Sequence, residues 1–417
     1  MGCFARRTAV ASREAIDRYA PLLLVALELA VFAIAFPRGN FPVNDDWSYA
    51  HSVLWLLEDH QIRLSDWIGM NLLPQTLLGG AASLLFGFSF PTLRVVTQLV
   101  SVLVVLATFR WFVVFGLGRC DAFVATVVVI ATPFWGVLSS SYMTDLYGMV
   151  FAIPAATLFL AALTRPMLPA IALATLLSVA GVLERQVVAV VPAAFLVASL
   201  ATRRPWQLRE VSIAAAPLVA VVVAELAYNA YLAFGPGVPD AHRYLTGRVV
   251  DAVRSVVVGE AGYRGWVLSN LVTIIGYLGL FVAPWAIWQT AAVGRATRVF
   301  ACVVAAGVAM ASFAFDWWPP YRPDNVVDAA GIGPYTLYAA LPPGLSPLDR
   351  SPGVLWRVAG IGAAVGVAAL AIAMLRAARS MAADAVAVRA RTWFAVSLVA
   401  AYLVPFVLTD YFDRYLL

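Results

Sequence analysis

"APLLLVALELAVFAIAFPRGNFPVNDD", residues 20–46, carries one long apolar run and then, after a short Pro- and Gly-containing break, two adjacent carboxylates, Asp45 and Asp46. A helix crosses a bilayer with about 20 apolar residues, so the run at about 20–37 reads as a membrane span. Arg6, Arg7, Arg13 and Arg18 precede it, which places the N-terminal residues 1–19 in the cytoplasm and the two acids outside. A cleaved signal peptide is the rival reading, since Ala33 and Ala35 offer a small-residue cleavage pattern; either way Asp45 lies outside. Acids beside a span are costly in hydrocarbon, so their setting matters.

The composition puts the whole chain in the same class. Of 417 residues, 62% are hydrophobic and 12% charged, against about 25% charged in soluble domains. All basic residues are arginine, scattered in short clusters between apolar segments, which is a topology signal and excludes a nucleic-acid partner. Cys3, Cys120 and Cys302 are too few and too scattered for a disulfide framework or a metal knuckle.

Further spans follow at about 92–115, 121–138, 148–163, 167–183, 187–201, 211–233, 266–289, 299–315, 353–375 and 392–409. The turns assigned to the cytoplasm then hold Arg119, Arg165, Arg203, Arg204, Arg209, Arg295, Arg298, Arg376, Arg379, Arg389 and Arg391. The stretch 70–90 is also apolar, but counting it as a span would move those arginines outside, so it is read as a helix on the outer surface. The expected fold is an all-α polytopic membrane protein of about eleven transmembrane helices, with interfacial helices in the first outer loop and a single domain over 20–417. Outer loops fall at 38–91, 139–147, 234–265 and 316–352. The chain ends at "TDYFDRYLL" as a new apolar run begins, which leaves its C-terminus open to truncation.

After Asn44 the spacing predicts a short amphipathic helix, with Trp47, Ala50, Val53, Leu54 and Leu57 on one side and Ser48, Ser52 and Asp59 turned elsewhere. Asn44 or Asp45 suits its N-cap, although a cap uses one side chain and explains two acids poorly. A second outer acid, Asp145, stands in "SSSYMTDLYGM", again next to a helix start. "GVLERQVVAV" then puts Glu184, Arg185 and Gln186 at an outer turn. A wet Glu and Arg pair there is worth little, yet an outer arginine runs against the positive-inside tendency and invites a negatively charged ligand. Carboxylates serve as general base or as ligands of a hard divalent cation such as Mg or Mn, and arginine grips phosphate through paired donors. Sugar transfer from a lipid-linked phosphate uses all of these. His51 lies about two turns along from Asp45 and faces the same cleft on this reading, while Arg243, Arg248, Arg254 and Arg264 meet lipid or phosphate or form a solvated face.

"NDDWSYAHSV", "PQTLLGGAASLLFGFS" and "YMTDLYGM" together resemble the GT-C class of membrane glycosyltransferases, in particular bacterial relatives of the protein O-mannosyltransferases and of the aminoarabinose transferases that modify lipid A. "RPDNVVDAAGIGPYTLY" and "YFDRYLL" resemble later segments of that group. The resemblance implies a polyprenyl-phosphate sugar donor, a glycan, lipid or protein acceptor, and transfer on the extracytoplasmic face of a bacterial inner membrane. It matches Asp45 to the principal catalytic acid, Asp46 to its acidic neighbour and partner in holding a cation, and Asp145 to the second-loop acid. Arg185 is a looser match to a donor-phosphate contact. Gln186, Tyr49, His51, Tyr321 and Arg322 are the expected substrate-binding neighbours. The competing function is a transporter or flippase of a lipid-linked sugar, which would place ionisable residues near the bilayer midplane and show internal repeats; no repeat is visible.

Overall fold

The computed structural model describes residues 2–43, 45–165, 167–202, 207–289, 294–314, 327–328, 331–332, 353–381 and 385–409. In chain order these form α1 (Gly2–Ala35), α2 (Asp46–Glu58), α3 (Leu73–Phe86), α4 (Phe90–Phe115), α5 (Arg119–Ile130), α6 (Pro133–Ser139), α7 (Thr144–Thr164), α8 (Leu168–Val182), a 3-10 turn (Gln186–Ala189), α9 (Val190–Thr202), α10 (Leu208–Phe234), α11 (Asp240–Val258), α12 (Ala261–Gln289), α13 (Arg295–Ala314), α14 (Gly353–Met381) and α15 (Val386–Leu408). A two-residue antiparallel pair joins Val327–Asp328 to Gly331–Ile332.

Among the described residues, seven helices are long and apolar enough to cross a membrane. They correspond to seven of the expected spans. Of the other four, the run at 299–315 lies in the 20-residue α13, and three differ for local reasons. The run at 121–138 is split into α5 and α6, because Pro133 has no N–H to continue the helical ladder. The runs at 167–183 and 187–201 give a 15-residue α8 and a 13-residue α9, below the span length. Helix α3, with 14 residues, is also too short to cross. It starts after Leu72, whose φ is +59°, and stops at Gly87, whose φ is +82°. Helix α1 runs on through the arginine-rich N-terminus instead of starting near residue 20, since Ala, Arg and Glu are good helix formers.

Hydroxyls within the apolar helices find acceptors close by. Thr97, Thr108, Thr126, Thr157, Thr175 and Ser178 each donate to the carbonyl four residues earlier, at 2.7–3.2 Å. That keeps a polar atom satisfied where no water can reach it. Ser89 caps α4 by accepting the Thr92 N–H at 3.1 Å.

The chain forms two compact units. One comprises Met1–Ile130, Leu138–Leu245 and Ala383–Ala401 and holds the acid-bearing segments. Its core gathers Phe159, Leu163, Phe195, Ala198 and Phe394, with the Phe159 and Phe195 rings stacked 4.5 Å apart. In this unit the packing of α2 departs from the expected amphipathic pattern. Ser48 and Ser52 are buried with Tyr49, Ala50 and Val53, while Trp47 is exposed and forms a ring ladder with His51 and Trp55. The reason is the neighbour, α3. A methyl on its Gly79 would lie 3.0 Å from Val53, and one on Gly80 would lie 2.9 Å from Leu56. The glycines of α3 permit the close approach of Val53 and Leu56, and Trp47 is left outside.

The second unit comprises Ala131–Val137, Thr246–Ala382 and Tyr402–Leu417. Its principal packing is α12 against α14, which cross at Gly279 and Gly366. A Cβ on Gly279 would lie 2.6 Å from the Ala363 carbonyl oxygen, and one on Gly366 would overlap the Gly279 backbone. Close backbone approach replaces hydrophobic driving force where the surroundings are lipid. Gly366→Ala is therefore expected to cost about 1–3 kcal/mol, as overpacking does, and to lower the melting temperature in detergent, whereas Gly307→Ala, where an added methyl meets nothing, leaves it unchanged.

Candidate functional site

Asp45 and Asp46 are adjacent but do different things. Asp46 opens α2 and is fully buried. Its Oδ1 accepts the Val43 N–H at 2.7 Å, and its Oδ2 accepts the Tyr142 N–H at 3.4 Å. Burial pushes its carboxyl up to about 7, against the opposing pull of those two N–H groups and of the Arg94 guanidinium. Asp45 occupies the N-cap position with φ −74° and ψ −3°, yet its side chain makes no capping hydrogen bond. It is half-buried. The capping account of the pair therefore fails for Asp45, and its neighbour's inward anchoring carries the local structure.

Arg94, in the first turn of α4, shapes the chain that leads into the pair. Its guanidinium donates to the carbonyls of Pro37 and Gly39, each at 3.1 Å, and to that of Phe41. It also lies 5.2 Å from the Phe41 ring centroid and 5.8 Å from that of Phe90. Three backbone acceptors and two ring faces make a buried cation tolerable. Arg94 was missed in the sequence, although the argument applied to Arg185 also finds it: it is an arginine at the outer end of a span.

Asp145 lies in the first turn of α7 and pairs with Arg185, both buried. Gly148, one turn on, makes room: a Cβ there would lie 3.0 Å from Arg185 Cδ. The expected wet Glu184 and Arg185 pair is replaced by this long-range one. Glu184 turns inward, fully buried, and its Oε2 accepts the Gln75 N–H at 2.9 Å. Its Oε1 has no hydrogen-bond partner among the described residues. Burial pushes its carboxyl up to about 8, with Asp145 adding to the rise and Arg185 and the Gln75 N–H opposing it.

Two buried residues connect these groups. Gln75 Nε2 donates to the Tyr142 carbonyl at 3.0 Å, and the Tyr142 hydroxyl donates to the Gln75 carbonyl at 2.6 Å. Because Tyr142 also holds Asp46 and Gln75 also holds Glu184, one continuous network runs from the first acid segment through 142 and 75 to the turn at 184–185. A second anchor lies alongside. Asn71 Nδ2 donates to the Val182 carbonyl at 2.9 Å and to Glu225 Oε2 at 2.5 Å, and Tyr228 donates to the Asn71 carbonyl at 2.7 Å. Burial pushes the nearby His242 imidazole down, opposed by the negative charge of Glu225.

Of the other expected residues, Gln186 donates to the Gly69 carbonyl at 3.2 Å and to Asn71 Oδ1 at 3.0 Å, so its amide holds the loop. Tyr49 is buried in the packing of α2, and His51 lies on the exposed arc between Trp47 and Trp55, away from Asp46. Tyr321 and Arg322 lie outside the described residues. Among the described residues no three His, Cys, Asp or Glu side chains converge as a metal site. Both Asp46 oxygens already accept backbone N–H groups, so a Mg or Mn ion at Asp45 and Asp46 would take most of its oxygens from phosphate and water. A further acid was passed over in the sequence: Glu28, buried within α1, accepts the Ser101 hydroxyl at 2.6 Å.

No family profile and no curated protein matches the chain. It is similar to two solved structures of an Archaeoglobus fulgidus oligosaccharyltransferase. One is tethered by a disulfide to an acceptor peptide containing the NVT sequon, with 13% identity, TM-score 0.37, and coverage of 96% of this chain and 55% of that one. The other, AglB in complex with an inhibitory peptide and a dolichol-phosphate, has 12% identity, TM-score 0.39 and coverage of 94% and 56%. The chain thus spans about half the length of the structures it matches.

The raised carboxyls have a measurable consequence. Asp46 moves from 3.8 to about 7 and Glu184 from 4.5 to about 8 on folding. Each holds a proton in the folded state that the unfolded chain has released. Their contribution to stability is therefore fully present below about pH 4 and is lost as pH rises through 7 to 8. The melting temperature of the full chain in detergent should fall over that window, and Asp46→Asn should flatten the lower part of the fall and Glu184→Gln the upper part. A slope identical in wild type and both variants would contradict the assignment.

Proposed function

We propose that this chain transfers a sugar from a polyprenyl-phosphate donor to an acceptor on the extracytoplasmic face of the membrane, in the manner of a GT-C glycosyltransferase. The observation that carries the reading is the network through Gln75 and Tyr142, which joins buried Asp46 to buried Glu184, the sequence neighbours of half-buried Asp45 and of Arg185 in its pair with Asp145, among apolar helices. Soluble substrates need no such setting; a lipid-linked phosphate does.

In this scheme Asp45 accepts the proton of the acceptor hydroxyl or amine. The freed oxygen or nitrogen attacks the anomeric carbon as the bond from that carbon to the phosphate oxygen breaks. The prenyl phosphate leaves with the electron pair, and Arg185 meets its charge. A guanidinium has five donors in a planar fork, a geometry that suits phosphate as well as the carboxylate of Asp145. Asp46 holds the chain at Asp45 in place without touching substrate. A cation at the acid pair would assist by neutralising phosphate charge, and no step of the scheme requires it.

A flippase of a lipid-linked sugar is the second reading, and Glu28 favours it: a buried carboxylate inside a span is costly and is a common mark of a transport path. Transfer of radiolabelled sugar from a polyprenyl-phosphate donor, in membranes holding wild type or Asp45→Asn at equal levels, separates the two. A general base contributes roughly 10²–10⁴-fold, so Asp45→Asn should reduce transfer by that order while its melting temperature stays within a few degrees of wild type. Transfer absent in wild type together with labelled lipid crossing the bilayer, sensitive to Glu28→Gln, would favour the flippase.

A further inference from the structure

The second unit has a cavity of about 240 Å³ at the meeting of α11, the start of α12 and the end of α15. Its lining includes Arg248, Asp251, Ser255, Tyr263, Trp266 and Thr409. The wall formed by the end of α15 is built, not accidental. The last carbonyls of a helix have no partners within it. Here Tyr263 donates its hydroxyl to the Leu408 carbonyl at 2.5 Å, and Asn270 donates to the carbonyls of Val407 and Thr409 at 3.3 and 3.2 Å. The Tyr263 and Trp266 rings stack with centroids 5.4 Å apart, which fixes the aromatic side of the cavity.

Three physical arguments narrow the ligand. Pockets for drug-sized ligands run to roughly 300–1,000 Å³, so this one admits a single ring. Arg248 is offset by Asp251, and the end of α15 presents the negative pole of its helix dipole, so an anion gains little there. The remaining chemistry is an aromatic wall beside a carboxylate, a guanidinium and three hydroxyls, of which Tyr263 and Thr409 already donate to the Leu408 and Pro405 carbonyls and so offer acceptors, around an apolar face. A pyranose matches that pattern, with C–H groups on its faces and hydroxyls around its edge.

We propose that this cavity binds one neutral hexose ring, as a carbohydrate subsite separate from the acid network, with Trp266 against the sugar face and Asp251 and Arg248 on its hydroxyls. It goes beyond the transfer reading and does not depend on it. A sugar acceptor would give such a subsite a use, and so would a glycan bound without being altered.

The test is ligand-observed saturation-transfer NMR with the full chain in detergent micelles and, as probes, the methyl glycosides of glucose, mannose and galactose. Transfer to the ring protons of at least one probe is expected for wild type. Asp251→Ala and Ala252→Phe, which respectively remove a hydroxyl partner and fill the cavity, should each weaken it about ten-fold or more, the effect of about 1.4 kcal/mol. Asp45→Asn should bind like wild type, so loss of sugar transfer and loss of this subsite are told apart. No transfer to any probe in wild type would overturn the proposal. So would transfer that both cavity variants retain, or that inorganic phosphate abolishes, because the cavity would then be an anion site.

Discussion

A carboxyl taken out of water has to be met by hydrogen bonds, and Asp46 is met by backbone N–H groups from Val43 and from Tyr142, 96 residues away in sequence. The site depends on that contact. It ties the segment after the first span to the segment before α7. Tyr142 in turn is clamped to Gln75 by two reciprocal bonds, and Gln75 presents its N–H to Glu184. Three stretches that enter and leave apolar helices at separate points are thus fixed by buried polar contacts, where lipid supplies no hydrophobic force to hold them.

Such a network is sensitive to charge. With both Asp46 and Glu184 ionised, two carboxylates would stand in low dielectric, Asp46 in the field of Arg94 and Asp45, and Glu184 in that of Arg185 and Asp145. The raised carboxyls relieve this by holding protons. Arg185 is then matched by Asp145, and Arg94 is met by three backbone carbonyls as well as by the field of Asp46. The guanidinium of Arg185 is in direct ion-pair contact with Asp145.

Much of this was legible in the sequence, and the rest was not for definable reasons. Long apolar runs and arginine positions located the seven longest apolar helices, because length and charge are local properties. The acids at 45, 46 and 145 and the arginine at 185 stood out because ionisable groups beside spans are costly. The pairing of Arg185 with Asp145 did not, since a contact across 40 residues is a property of packing. Nor did the inward face of α2. Its apolar periodicity pointed to Trp47 and Leu57, while the glycines of α3 draw in Val53 and Leu56, and Ser48 and Ser52 are buried. Gln75 and Asn71 are single amides in an apolar stretch. They looked incidental in the sequence, yet they organise the loop.

The doubling of the acid at 45 and 46 follows from helix geometry. Successive residues at a helix start project about 100° apart, so when Asp46 is drawn in by Val43 and Tyr142, Asp45 is turned elsewhere. Both Asp46 oxygens are taken up by backbone N–H groups, so that side chain is committed to holding the chain. Asp46 fixes the backbone, while Asp45 makes no capping bond and stands half-buried at the start of α2. A cap needs only one side chain, and here neither carboxylate acts as one for α2: Asp46 accepts from Val43 and Tyr142, and Asp45 makes no capping bond.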